Sequence, residues 1–253
     1  MYKKWSILVL AAAVTLTAVA AVLLVALEPS PALAGQAHGA NPRVLPPQSH
    51  PFGKTYGEWG AAWWQWALSF PYLQDPINDP TGEFNEQHQS GPVWFLAGTG
   101  GTGPVTREVT IPVGKGVFFP IINVLIDYPC PPEQGFEPAP GQTLEEFLTE
   151  FAVWYINHVT ELAVEVDGVS LNNLFDYRGT SGMFMFTADP SWVAYDPCVI
   201  DAPQPGVADG YWIMLAPLPK GQHTIHFRGK EVFPEWDNWV FEPEVTYNLT
   251  VTP

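Results

Sequence analysis

The chain has 253 residues and sets 26 acidic against 10 basic side chains, a formal net charge of −16 at neutral pH. A field of that sign repels phosphate backbones and anionic lipid, which excludes nucleic acid and an acidic membrane surface as partners. With 47% hydrophobic and 14% aromatic residues there is ample material for a packed core, and the length suits one domain or two small ones.

The N-terminus reads as an export signal. Lys3 and Lys4 give a short positive start, Ile7 to Leu27 carries no charge, and Glu28-Pro29-Ser30-Pro31 breaks the apolar run. Ala32-Leu33-Ala34 then supplies the small-x-small pattern of a signal-peptidase site, just before Gly35. Residues 1–34 are therefore expected to be removed. The run is also long enough to span a bilayer, so an uncleaved anchor is the alternative reading. Either way the lysines stay inside and the rest works outside the cytoplasm, in a periplasm or the medium, with no membrane contact once the signal is gone. Cleavage takes away Lys3, Lys4 and Glu28, which leaves the mature chain more acidic still.

Residues 35–54 are polar and proline-bearing without periodicity, and read as a linker; residues 55–253 read as one β-rich globular domain. A first helix is predicted from Tyr56 to about Ser69 behind a capping box, Thr55 with Glu58. Tyr56, Trp59, Trp63, Trp66 and Phe70 fall on one narrow arc of it, with Glu58, Gln65 and Ser69 opposite. Candidate strands follow at Val93–Ala97, Val105–Pro112 and Gly116–Asn123. A second helix is predicted from Leu144 to about His158, again behind a capping box, Thr143 with Glu146. Further strands are predicted at Leu162–Asp167, Met183–Ala188, Tyr211–Ala216, Gln222–Arg228 and Glu244–Val251. In Gln222–Arg228 the alternation is plain: Ile225 and Phe227 face one way, Thr224, His226 and Arg228 the other. Helices do not alternate with strands, so a doubly wound parallel sheet is excluded. The expectation is a mainly β fold, an antiparallel β-sandwich or jelly roll with two packed α-helices. The only cysteines, Cys130 and Cys198, flank prolines in loop-like sequence, and an even count in an oxidising compartment reads as one disulfide.

Several segments carry a resemblance. Tyr-Gly-Glu-Trp-Gly-Ala-Ala-Trp-Trp-Gln-Trp-Ala (56–67), Gly-Pro-Val-Trp-Phe-Leu-Ala-Gly (91–98), Ile-Pro-Val-Gly-Lys-Gly-Val-Phe-Phe-Pro-Ile-Ile-Asn (111–123), Val-Asp-Gly-Val (166–169) and Gly-Gln-His-Thr-Ile-His-Phe-Arg-Gly (221–229) resemble the signature of a group of uncharacterised exported bacterial proteins. The resemblance covers nearly the whole mature chain. It implies export and no particular chemistry, because the group has no assigned activity. Its relatives often carry cysteines near the positions of Asn85 and Glu108, which this chain lacks, so a second disulfide is not expected.

Residues that could carry chemistry mostly have plainer roles. The tryptophan stripe could be a platform for a flat ligand, but such a stripe at helical spacing is what docks a helix on a sheet. His223 and His226 lie three apart on a strand and cannot chelate together, His158 falls on the second helix's apolar face, and His38, His50 and His88 sit in loop-like sequence, so no metal site is assigned. Gly98-Thr99-Gly100-Gly101-Thr102-Gly103 lacks the Lys-Ser/Thr of a phosphate loop and reads as a hairpin loop. Gly179-Thr180-Ser181-Gly182 misses the spacing of a nucleophile elbow. No catalytic residue is assigned. Asp75, Asn78, Asp79, Glu83, Asn85 and Glu86 crowd one loop with hard oxygen ligands, which makes calcium the sole candidate cofactor. Trp236, Asp237, Asn238 and Trp239 form the candidate ligand-binding group: indoles stack on sugar rings while polar groups take hydroxyls, against the alternative of a loop folding its tryptophans onto the core.

Three functions fit these residues: a non-catalytic exported domain that binds a carbohydrate or envelope component, a secreted glycoside hydrolase using paired carboxylates, and an exported protein-interaction or assembly protein. The export reading has its own test. Intact mass of protein recovered from periplasm or medium is expected to correspond to a chain beginning at Gly35, and retention of residues 1–34 would mean an anchor.

Overall fold

A computed structural model describes residues 44–130 and 135–253; the expected signal segment, residues 1–34, and residues 35–43 lie outside the described residues. The chain is mainly β, a sandwich-like pair of sheets with two helices. The helices are α1 (Tyr56–Ala67) and α2 (Leu144–Ile156). Each begins at its predicted capping box. Glu58 N donates to Thr55 Oγ1 and Thr55 N to the Glu58 carboxylate, and Thr143 and Glu146 repeat the arrangement. These hydrogen bonds hold the Glu58 carboxyl below its ordinary value.

One sheet has the order β1 (Val93–Phe95), β3 (Gly116–Asp127), β7 (Gln204–Leu215), β6 (Phe184–Phe186). The other runs β2 (Val105–Pro112), β10 (Glu244–Thr252), β8 (Gly221–Phe233), β4 (Val159–Val166), β5 (Val169–Ser170), with β9 (Trp239–Phe241) also paired to β8. Both sheets are mixed rather than antiparallel, because β1 lies parallel to β3 and β2 parallel to β10. The glycine run explains the difference. It does not close a hairpin; it carries the chain from β1 in one sheet to β2 in the other, so each strand finds a new neighbour.

The main core lies between the sheets, where Phe119, Ile121 and Ile213 meet Ile225, Phe227 and Tyr247. β8 and β10 alternate buried and part-exposed residues, as expected of a sheet with one wet face. β7 is buried almost throughout because it is covered on both faces. On the face away from the second sheet α1 supplies the cover. Trp59, Trp63 and Trp66 are all buried and pack with Phe118 and Trp212. Each indole N–H finds a carbonyl, Pro51, Leu96 and Gln87 in turn, at 2.8–3.0 Å. Close approach needs Gly60, where a Cβ would lie 2.8 Å from the Trp212 ring. The stripe is therefore core. α2 covers Ile126 and Val207, the part of the first sheet that the second leaves bare.

α2 ends at Ile156, so His158 is not on its apolar face but in the turn into β4, where its ring stacks on Phe233. Residues 44–54, the described part of the expected linker, lie against β7. Val44 bridges Leu215, Leu45 N donates to Met214 O, and two single-turn helices follow at Pro47–Ser49 and Pro51–Gly53. The expected disulfide joins Cys130, just after β3, to Cys198, before β7. A closed loop of 68 residues' separation stabilises by about 4 kcal/mol in the chain-entropy account.

A fully buried indole at the centre of the α1 interface sets an expectation. Trp63→Ala costs roughly 3–5 kcal/mol or abolishes folding, read by denaturant titration; an unchanged midpoint would return the stripe to the solvent.

Candidate functional site

The candidate residues occupy the tip of the β8–β9 hairpin. Pro234 lacks a backbone N–H and ends β8, a single helical turn spans Pro234–Trp236, and Asp237 and Asn238 take left-handed φ values of 61° and 58°. Short polar side chains tolerate that conformation. The chain then returns as β9, pairing Trp239 with Phe233, Val240 with Val232 and Phe241 with Glu231. Trp236, Asp237, Asn238 and Trp239 are thus brought together, and the two indoles sit 6.0 Å apart at 52°.

What the sequence did not assign is the backing. Trp236 lies flat on Phe233 at 4.6 Å, and Trp239 approaches the same ring at 5.4 Å. Trp154 and Tyr155, from the last turn of α2, stand 5.6 and 5.9 Å from Trp236. His158 stacks on Phe233, donates Nδ1–H to Trp154 O at 2.8 Å, and presents Nε2 to the Glu235 carboxylate at 3.3 Å. On the far side the Phe241 ring is met by the glycine run: a Cβ on Gly101 would lie 2.8 Å from it. The result is a ledge of stacked rings. Phe233 is buried at its base, Trp236 is half-buried, and Trp239 remains 37% exposed with Asp237 and Asn238 exposed beside it. One indole has folded back onto the core and the other has not. The sequence signal for the missing partners was present in Trp154 and Tyr155 at the end of a helix face, but nothing local linked them to residues so far along the chain.

The other candidates resolve into structure. In the acidic loop, Asp75 accepts from the amides of Leu73, Ile77 and Asn78, and Asp79 from Thr81, Gly82 and Phe84. Burial raises the Asp79 carboxyl, but the Thr81, Phe84 and Gly82 hydrogen bonds outweigh it and hold it below its ordinary range. Among the described residues no group of three or more His, Cys, Asp or Glu converges as a metal site. Thr180 donates to Asp209, Ser181 Oγ accepts from Ala208 N, and among the described residues no histidine is hydrogen-bonded to either hydroxyl. His223 and His226 turn to different carboxylates, Asp167 and Glu244.

A pair of carboxyls does exist, Asp127 and Asp196, beside the disulfide. Gln204, fully buried, donates Nε2 to Asp127 Oδ2 at 2.7 Å and to Cys198 O at 2.9 Å. Burial first, and the Asp196 charge second, push the Asp127 carboxyl up to about 7; burial also raises Asp196. Both carboxyls are half-buried, Asp127 held by Gln204 and Asp196 by the Cys198 amide. The concavity that does stand out is open and acidic, lined by Thr143, Glu145, Glu146, Thr149 and Glu150 on the surface of α2, away from both carboxyls.

Compared with known proteins, the chain matches no family model, no curated protein and no solved structure.

The raised Asp127 carboxyl has a measurable consequence. A carboxyl raised in the folded state takes up a proton that the unfolded chain has released, so its stability is full below the unfolded value and is lost as pH rises towards 7. Asp127→Asn is expected to raise stability by ~2–4 kcal/mol at pH 8 and by little at pH 4. Urea melts at the two pH values check this, and equal shifts at both would contradict it.

Proposed function

We propose that the chain is an exported, non-catalytic domain that binds a carbohydrate, free or within a cell envelope, through the ledge of Trp236 and Trp239. One observation carries the reading: an indole left open to solvent on a rigid base of stacked rings, with exposed carboxylate and amide groups at its side. A sugar ring offers an apolar C–H face to stack on an indole and hydroxyls for the polar neighbours, and this arrangement supplies both. Holding Trp239 against Phe233 in advance lowers the ordering cost of binding. The Cys130–Cys198 disulfide and the signal-like N-terminus support an extracytoplasmic site of action, as does the resemblance to exported bacterial proteins. No helix among the described residues is long and apolar enough to cross a membrane.

The hydrolase reading keeps one observation in its favour, the Asp127–Asp196 pair with one carboxyl raised to about 7. Glycoside hydrolysis needs two carboxyls free to face a sugar from either side, whereas this half-buried pair lies beside the disulfide and the Gln204 amide already occupies Asp127 Oδ2. The binding reading therefore ranks first.

The test is a glycan array with a panel of glycosidase substrates on wild type, Trp239→Ala, and Trp236→Ala with Trp239→Ala. The expected outcome is binding by wild type that falls at least tenfold in the folded Trp239→Ala protein, with no turnover. Turnover that disappears when Asp127 or Asp196 is neutralised would make the hydrolase reading the correct one.

A further inference from the structure

We propose that His158 and Glu235 form a clip that makes the ledge sensitive to pH, with His158 as its positioning residue. With both ring nitrogens protonated, His158 ties the hairpin tip to the end of α2 and holds Trp236 in place. Loss of one proton loosens the tie, so grip on the ligand weakens as pH rises. The inference deepens the ledge reading and rests on it for the ligand, though not for the proton.

The clip follows from where the chain turns. α2 ends at Ile156, and two residues later the His158 carbonyl accepts from Val232 N of β8 at 3.0 Å. That bond sets the imidazole beside the end of β8. Its ring lies on Phe233 at 4.6 Å and 21°, and Trp236 lies on the same ring at 4.6 Å and 14°. Trp154 touches all three, at 4.5 Å from His158, 5.8 Å from Phe233 and 5.6 Å from Trp236. Between Phe233 and Trp236 the chain makes its single helical turn, which carries the Glu235 carboxylate back to His158. Histidine and tip indole are thus joined twice, through the shared Phe233 ring and through the Pro234–Trp236 turn.

The proton count comes from the acceptors. Nδ1 meets Trp154 O at 2.8 Å, and a carbonyl only accepts, so Nδ1 carries a hydrogen. A neutral imidazole then has its lone pair at Nε2, aimed at the Glu235 carboxylate 3.3 Å away. Only the imidazolium donates to both. The Glu235 carboxyl is held below its ordinary value by its own backbone N–H and then by His158, which keeps it ionised. Among the described residues Glu235 pairs with no lysine or arginine, so His158 is its cation. The other titratable groups of the packed elements bring no positive charge to the site. Tyr155 of α2 stands over Phe233 and Trp236, Glu231 of β8 lies across from Val159, and Asp237 follows at the tip. Glu161 of β4 is paired with Arg228 and Lys230. The His158 side chain is 13% exposed and that of Glu235 is 54% exposed, so solvent screens the pair in part and the coupling is modest.

Glu235→Gln keeps the shape, and its amide both donates and accepts, so it pairs with either state of the ring. His158→Phe keeps a ring on Phe233 and makes neither hydrogen bond. In ligand-free protein, indole emission of wild type is expected to shift over about pH 5–8, where histidine side chains change charge. The shift should be smaller in Glu235→Gln; what remains comes from His88, stacked on Phe70 beside Trp66, and is common to both proteins. Imidazole nitrogen NMR, with His158 assigned from His158→Phe, should show both nitrogens protonated at the acid end and Nε2 alone losing its hydrogen as pH rises. A glycan bound at the ledge should weaken about threefold across that range in wild type and by under about 1.5-fold in Glu235→Gln. His158→Phe at the acid end should bind only as well as wild type at the alkaline end. Identical emission profiles for wild type and Glu235→Gln would overturn the proposal, as would a His158 ring that stays neutral throughout. If the profiles differ but no glycan binds, the carbohydrate reading fails while the clip stands. Should His158→Phe not fold, the comparison with Glu235→Gln decides alone.

Discussion

The fold turns on a buried arginine that has no carboxylate partner among the described residues. Arg107 takes a core position in the alternating strand β2, and its guanidinium donates to the carbonyls of Ile77, Asp79, Ala97 and Gly98 and to the Tyr247 hydroxyl. Tyr247 and Asn85 in turn hold the Ala97 amide. One side chain thereby fastens the end of β1, the acidic loop, β2 and β10, which come from both sheets and from the connection between α1 and β1. A guanidinium suits this task because its donors form a rigid planar fork that serves several carbonyls at once. Without it the carbonyls of Ile77 and Asp79 would lose this donor, at about 1–3 kcal/mol each, while Ala97 O would keep only the Tyr247 hydroxyl. The packing of α1 on one side of the first sheet and of the second sheet on the other follows from that join.

The same node accounts for much of the acidity in that loop. Asp75 and Asp79 are spent on backbone amides that shape the turns delivering carbonyls to Arg107. Exposed carboxylates elsewhere pair with the few basic groups, as Glu161 and Glu242 do with Lys230 and Arg228. Asp127 and Glu231 are the exceptions, each raised by burial into the neutral range. These two folded carboxyls hold protons that the unfolded chain would release, whereas Glu58 and Asp79, held low by their hydrogen bonds, act in the opposite direction.

The ledge exists because β8 outruns its neighbour. β10 pairs with β8 only as far as Arg228, and beyond it β9 folds back as a short strand beside the end of α2. An edge of this kind leaves rings that the main core cannot absorb. Phe233 and Trp236 settle on α2, while Trp239 stays outside. The chain guards its other edge differently: Gln65 of α1 donates to Met185 O and Glu145 of α2 accepts from Met183 N, so both helices cap backbone groups along β6.

Local chemistry wrote the elements into the sequence. Both capping boxes, the limits of β2 and the start of each helix could be read from a few adjacent residues, because caps and alternation are decided within one or two turns. The indole pair was legible for the same reason, as was the disulfide, since the chain's only two cysteines can pair only with each other. Partnership across the chain was not legible. That the glycine run crosses between sheets, that an arginine in an apolar row would be met by four carbonyls, and that Trp154 and Tyr155 would gather behind Trp236 are all products of long-range pairing and packing. Periodicity says which way a side chain faces; only the pairing of distant strands says what it meets there.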